Sequence, residues 1–188
     1  VGELGRGFVD DLLQADASNL ASALIGGVIF NLSNILLSAS VSIAGMSVAF
    51  PLGVGLALVL GVFINYFNAP QGSPVFLFLG VLLVIVAIVF NAWAYKNMGK
   101  GGEQQKTKGI VIAIVAGIMM SFFFRFIASS MDLQNFECPE VGKMTPYTAM
   151  VIFSIGIFTS NFIFNTVAMR HPFVGTPTSY EDYFADRK

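Results

Sequence analysis

The sequence predicts an all-α integral membrane protein that crosses a bilayer about five times. Two observations carry that prediction. Of 188 residues, 55% are hydrophobic and 11% charged, whereas a typical soluble domain is roughly 25% charged. The charges that exist cluster between five apolar runs, each long enough for the roughly 20 residues that cross a hydrocarbon core. High Phe and Gly, 19 of each, also suit membrane helices, where glycine lets backbones approach closely.

Residues 1–17 form an acidic segment (Glu3, Asp10, Asp11 and Asp16 against Arg6) ahead of the first run. The chain begins Val1-Gly2-Glu3, with no initiator Met, n-region or cleavage site, and reads as part of a longer polypeptide. The first span is placed at 18–39, with Asp16 or Ser18 as its cap. The second, at 45–67, carries Pro51 with Gly53 and Gly55 inside an apolar run. Proline removes a backbone hydrogen bond and frees a carbonyl, so a break in this helix is expected, as in many secondary transporters. Gly53, Ala57 and Gly61 recur every fourth residue and give the same helix a small-residue face for packing.

The third span, at 74–95, opens on Ser73-Pro74, an N-cap followed by proline at the first helical position. Lys96 and Lys100 follow it and favour its negative end. A connector at 96–108 then carries four Lys and one Glu, and the fourth span is placed at 109–128. The fifth, at 146–168, opens on Thr145-Pro146. The remainder, 169–188, reads as a loop rather than a sixth span, with Tyr180, Tyr183 and Phe184 suited to the headgroup level.

These placements put seven Lys/Arg on one side and two, Arg6 and Lys143, on the other, with Arg125 inside a span. The positive-inside rule assigns the seven to the cytoplasm, so residues 1–17 face outward and the tail inward. A net charge of −1 offers no basic face for nucleic acid. The single cysteine, Cys138, has no internal disulfide partner, and no Cys/His set for a metal occurs. No HExxH, GxSxG or GxxxxGK[ST] pattern is present, and His171 stands alone just past the fifth span, so neither an enzyme nor a cofactor is expected.

Chemistry inside the spans rests on few groups. Asn31 and Asn34 share a face of the first span, and Asn161 and Asn165 a face of the fifth. Carboxamides both donate and accept, which suits a polyhydroxyl or amide-bearing solute; the same groups also serve as interhelical hydrogen-bond partners. Arg125 either snorkels to the interface or faces a water-filled cavity where it attracts an anionic or carbonyl-bearing solute. Asn65 and Tyr66 read as interfacial. The candidate solute-binding set is therefore Asn31, Asn34, Pro51, Arg125, Asn161 and Asn165. No Asp or Glu falls within a span, so no proton-relay carboxylate is visible.

Three stretches, Gly26-Gly27-Val28-Ile29-Phe30-Asn31-Leu32-Ser33-Asn34, Gly45-Met46-Ser47-Val48 and Phe63-Ile64-Asn65-Tyr66-Phe67, resemble the glucose/ribose porter type of sugar transporter. That group belongs to the drug/metabolite transporter superfamily and is related to the plant ureide permeases. Pro172-Phe173-Val174-Gly175-Thr176-Pro177, with Ser179 and Tyr183, is similar to the cytoplasmic loop after the seventh helix of that group. The resemblance implies ten helices in two five-helix halves of opposite orientation, of which this chain holds the third to seventh. It implies a multi-pass permease of the cell membrane that moves a small polar solute by alternating access. A sugar leads, a ureide or nucleobase-like metabolite follows, and a proton or sodium ion is the coupling partner. The competing reading is a membrane scaffold subunit, which needs packing but no polar cavity.

Overall fold

The computed structural model describes residues 6–68, 70, 72–97 and 103–185, without the side chains of 68, 95–97, 103–106, 183 and 184. Lys100, Arg187 and Lys188, and the side chains of Lys96, Lys106, Tyr183 and Phe184, therefore lie outside the described residues. The described chain is all-helical: α1 (Phe8–Gln14), α2 (Ala17–Ala44), α3 (Met46–Asn68), α4 (Pro74–Asn97), α5 (Glu103–Ser130), α6 (Pro146–Arg170) and α7 (Tyr180–Ala185). Among the described residues the only β-type pairing is an isolated bridge between Met131 and Met144. Five helices, α2 to α6, are long and apolar enough to cross a membrane, as the sequence predicts.

Several elements differ from the sequence reading. α2, α4, α5 and α6 overrun the expected spans, while α3 keeps the expected length shifted by one residue; α2 has 28 residues, about 42 Å at a rise of 1.5 Å per residue, more than a core of about 30 Å requires. The connection between α2 and α3 is the single residue Gly45, at φ +84°. A side chain there would meet its own backbone, so glycine is what allows so short a reversal. Asp16 is the N-cap of α2 without a side-chain capping bond. α3 runs through Pro51 without interruption. Two short helices were not anticipated. In the tail, the Ser179 hydroxyl receives the Asp182 N–H at 3.2 Å, while the Asp182 carboxylate receives the Ser179 N–H at 3.0 Å. This reciprocal cap nucleates α7 where a loop is expected. The other, α1, is held by tertiary contacts described below.

The long helices lie in the order α6, α2, α5, α3, α4, each packed on its neighbours in that row, with a lesser contact of α2 on α3. Small residues set the spacing. A Cβ on Gly27 would collide with the Phe153 carbonyl, and one on Gly156 with the Leu24 carbonyl, so α2 and α6 meet backbone to backbone. α3 and α5 do the same where Gly117 faces Gly53. The core between α2, α5 and α6 contains Ala23, Ile127, Ala149 and Phe153. There Phe30 meets Phe123 edge-on at 4.9 Å and Phe153 at 5.5 Å. α4, at the edge of the row, leaves almost all of its apolar surface exposed, a surface that costs nothing against lipid tails.

The two ends of the bundle are tied differently. At one end α1 grips the loop between α5 and α6. At the other, the Lys108 ammonium donates to the Phe173 carbonyl at 3.1 Å, joining the start of α5 to the tail. Thr145 caps α6, its hydroxyl accepting the Thr148 N–H, with Pro146 at the first helical position.

Candidate functional site

Between α3 and α5, toward the α1 end, a cleft of about 790 Å³ opens. Gly61, Asn65 and Tyr66 of α3 line one wall, and Phe124, Arg125 and Ser129 of α5 the other. Leu77 at the start of α4 closes one flank, and Leu133 and Phe136 from the α5–α6 loop roof it. Most of the lining is apolar, with four polar side chains set into it. This is the usual composition of a small-molecule site, where apolar walls bury the ligand and a few polar groups orient it.

Arg125 is the dominant charge. It is exposed to the cleft and forms no hydrogen bond or ion pair with any described residue. An unpaired guanidinium in a membrane-spanning segment keeps water or binds a carbonyl- or anion-bearing group, because leaving it dry and unpaired is costly. The nearby polar groups are partly committed. The Asn65 amide donates to the Gly61 carbonyl at 2.7 Å, which leaves its own carbonyl oxygen free to accept. Ser129 donates back to the Phe126 carbonyl at 2.8 Å and lies 3.3 Å from Ser22. The Tyr66 ring is held edge-on to Phe78 at 5.4 Å and presents an aromatic wall. Together these groups offer donors from arginine, an amide acceptor and a flat apolar face.

The other sequence-derived candidates lie elsewhere. Asn31 is buried between α2 and α6, where its amide donates to Ser160 Oγ at 2.9 Å and to the Ile157 carbonyl at 3.3 Å. Of the two uses open to Asn31, the structure displays the interhelical one. Asn34 turns its amide onto the Phe30 carbonyl of its own helix at 2.8 Å. Asn161 and Asn165 bond to each other at 3.0 Å on the exposed face of α6. Pro51 lines a separate small cavity of about 80 Å³ with Ser47 and Asn91, near the start of α5. The six candidates therefore do not converge: Arg125 alone faces the large cleft.

Sequence reasoning passed over the residues that join Arg125 there. The sequence suits Asn65 and Tyr66 to the interface and gives no local signal for Ser129. Their common signal is positional, because the end of α3 and the end of α5 must share one end of the bundle if the connections alternate. The residues of the α1 contact were missed as well.

Three curated relatives match the chain along nearly all of its length. It is 23% identical over 244 residues to ureide permease 1 of Arabidopsis thaliana, covering 99% of this chain and 63% of that protein. The figures for ureide permease 3 are 22% identity, 95% and 60%, and for ureide permease 2 they are 21%, 95% and 60%. The chain thus spans about three fifths of the length of the relatives it matches. No family model matches the chain, and no solved structure does.

Proposed function

We propose that the chain is the helical body of a multi-pass membrane permease for a small, planar, carbonyl-rich solute, and that the solute is held in the Arg125 cleft. The observation that carries this reading is the Arg125 guanidinium, unpaired among the described residues, facing a cleft of about 790 Å³. Arginine presents a rigid fork of donors that suits paired carbonyl oxygens better than the scattered hydroxyls of a sugar. The Tyr66 ring supplies a face on which a flat solute stacks, and the Asn65 carbonyl accepts from a ureide or amide N–H. The relatives are named ureide permeases, which supports reading the solute as a ureide rather than a sugar. A scaffold subunit, by contrast, has no use for an unpaired cation in a polar-dotted cleft.

In this reading the α1 end faces outward and the Lys108 end the cytoplasm of the cell membrane, following the basic connector. The described helices form part of a ten-helix arrangement of two inverted halves, and the cleft opens and closes by alternating access. Either a proton or sodium gradient drives the movement.

Uptake of radiolabelled allantoin, uracil and glucose tests the reading, with the protein expressed from its complete open reading frame and reconstituted in proteoliposomes. Saturable allantoin uptake, competed by close analogues and not by glucose, is the expected result. Glucose uptake without allantoin uptake overturns the solute assignment. Absence of any uptake by folded, oriented protein overturns the permease.

A further inference from the structure

The described residues hold one fully buried carboxylate, and it belongs to neither the cleft nor the interhelical contacts. Asp11, on α1, is 0% exposed. Its Oδ2 accepts both the backbone N–H of Thr145 at 2.8 Å and the Thr145 hydroxyl at 2.9 Å, while Arg6 Nε stands 3.2 Å from Oδ1. A buried carboxylate is tolerable only when paired and hydrogen-bonded in this way. The grip extends along the loop. Arg6 also donates to the Pro139 carbonyl at 2.7 Å and the Lys143 carbonyl at 3.2 Å. Gln14 takes the Gly142 N–H at 2.7 Å and gives its amide to the Lys143 carbonyl at 2.9 Å. Beside α1, the Asn19 amide donates to the Gly142 carbonyl at 2.7 Å.

The loop held in this way is the one whose earlier half, Leu133 and Phe136, roofs the Arg125 cleft. Its two ends are tied together by the Met144 N–H to the Ser130 carbonyl at 3.0 Å, and Lys143 reaches the Ser129 carbonyl on the cleft wall. α1 itself has little to hold it otherwise: its N-cap Gly7 makes no side-chain capping bond, and Val9 and Leu13 are exposed. A seven-residue helix is marginal alone, so it persists only while docked. Nearly all of the grip is polar, and polar contacts of this kind exchange with water at small net cost, unlike buried apolar packing.

We propose that α1 is a strap that locks the α5–α6 loop over the Arg125 cleft, and that it lets go in each transport cycle. The proposal rests on the permease reading for its role and is tested in a way that separates the two. With Cys138 replaced by Ser, the pair Asp16→Cys and Gly142→Cys joins the strap's junction with α2 to the loop. A Cβ on Gly142 would point at the Asp16 side chain, 2.8 Å from its Cγ. Oxidation is expected to lower uptake of labelled allantoin at least tenfold (~1.4 kcal/mol), with recovery on reduction. Unchanged uptake with the disulfide formed overturns the proposal.

Gly142 lies at φ +89°, where a cysteine is strained, so a second variant stands beside the first. Met144 is 0% exposed, in the core cluster against which Ala15, the C-cap of α1, packs. Met144→Cys, in the same Cys138→Ser background, is expected to react with a membrane-impermeant maleimide, and about tenfold faster when Arg6→Gln is added. A thiol at 144 that stays unreactive in both proteins shows a fixed clamp and overturns the strap. This readout needs no solute, so it decides the strap even if allantoin uptake is absent and the permease reading fails.

Discussion

The Asn31 carboxamide and the Ser160 hydroxyl, 2.9 Å apart, form a buried side-chain bridge between α2 and α6. Membrane bridges of this kind contribute about 0.6 kcal/mol on average and at most about 1.7. Asn31→Leu is therefore expected to destabilise the protein by about 1 kcal/mol in thermal unfolding in detergent. Ser160→Ala should do about the same, and the double variant should cost clearly less than the sum, since both remove one interaction. Strict additivity contradicts the bridge.

Glycine substitutions should separate contact from open space along the same row of helices. Gly27→Ala drives a methyl into the Phe153 carbonyl, and a backbone atom has nowhere to retreat. A loss of about 2 kcal/mol is expected, the usual cost of overpacking. Gly80→Ala, on α4, meets nothing within 4 Å. It should be neutral or stabilising by up to about 1 kcal/mol through helix propensity. The same unfolding measurement reads both, and equal effects contradict the packing order.

Asp132 makes the α5–α6 loop sensitive to acid. Its carboxylate is held below the usual range chiefly by the Gln134 N–H, helped by the Asn135 and Glu140 N–H groups and the Lys143 charge, against an opposing desolvation effect. The sign follows from the lowered value: the contribution is complete above the unfolded value of roughly 3.9, and is lost as pH falls through the folded one. Hydrogen exchange at these amides, corrected for intrinsic rate, should be flat from about pH 5 to 8 and loosen below about pH 4. Asp132→Ala should show the loosened exchange already at neutral pH.

Sequence patterns made the membrane class and the five long helices legible because a membrane span is a one-dimensional signal: length and apolarity suffice. Thr145-Pro146 and Ser73-Pro74 mark the starts of α6 and α4 for a similarly local reason, since capping involves neighbours in the chain. Partnership was not legible. Asn31 and Asn34 look equivalent in sequence, yet one reaches Ser160, 129 residues away, and the other its own helix. Asp11 gives no sign in the sequence that it is buried, because its partner Thr145 lies 134 residues on. Arg125 was visible as a charge in a span; that it lacks a described partner and faces a cleft emerges only from the packing of α3 on α5.

Arg125 tests the account most directly. Because it is exposed and has no partner among the described residues, Arg125→Gln should change stability by no more than about 0.5 kcal/mol. The decisive measurement is initial-rate uptake of labelled allantoin in proteoliposomes by the parent protein and by Arg125→Gln, at matched amounts of folded protein. The account expects saturable uptake by the parent and at least a tenfold fall in the variant, about 1.4 kcal/mol of lost solute recognition. Equal uptake by both proteins would contradict the placement of the solute in the Arg125 cleft.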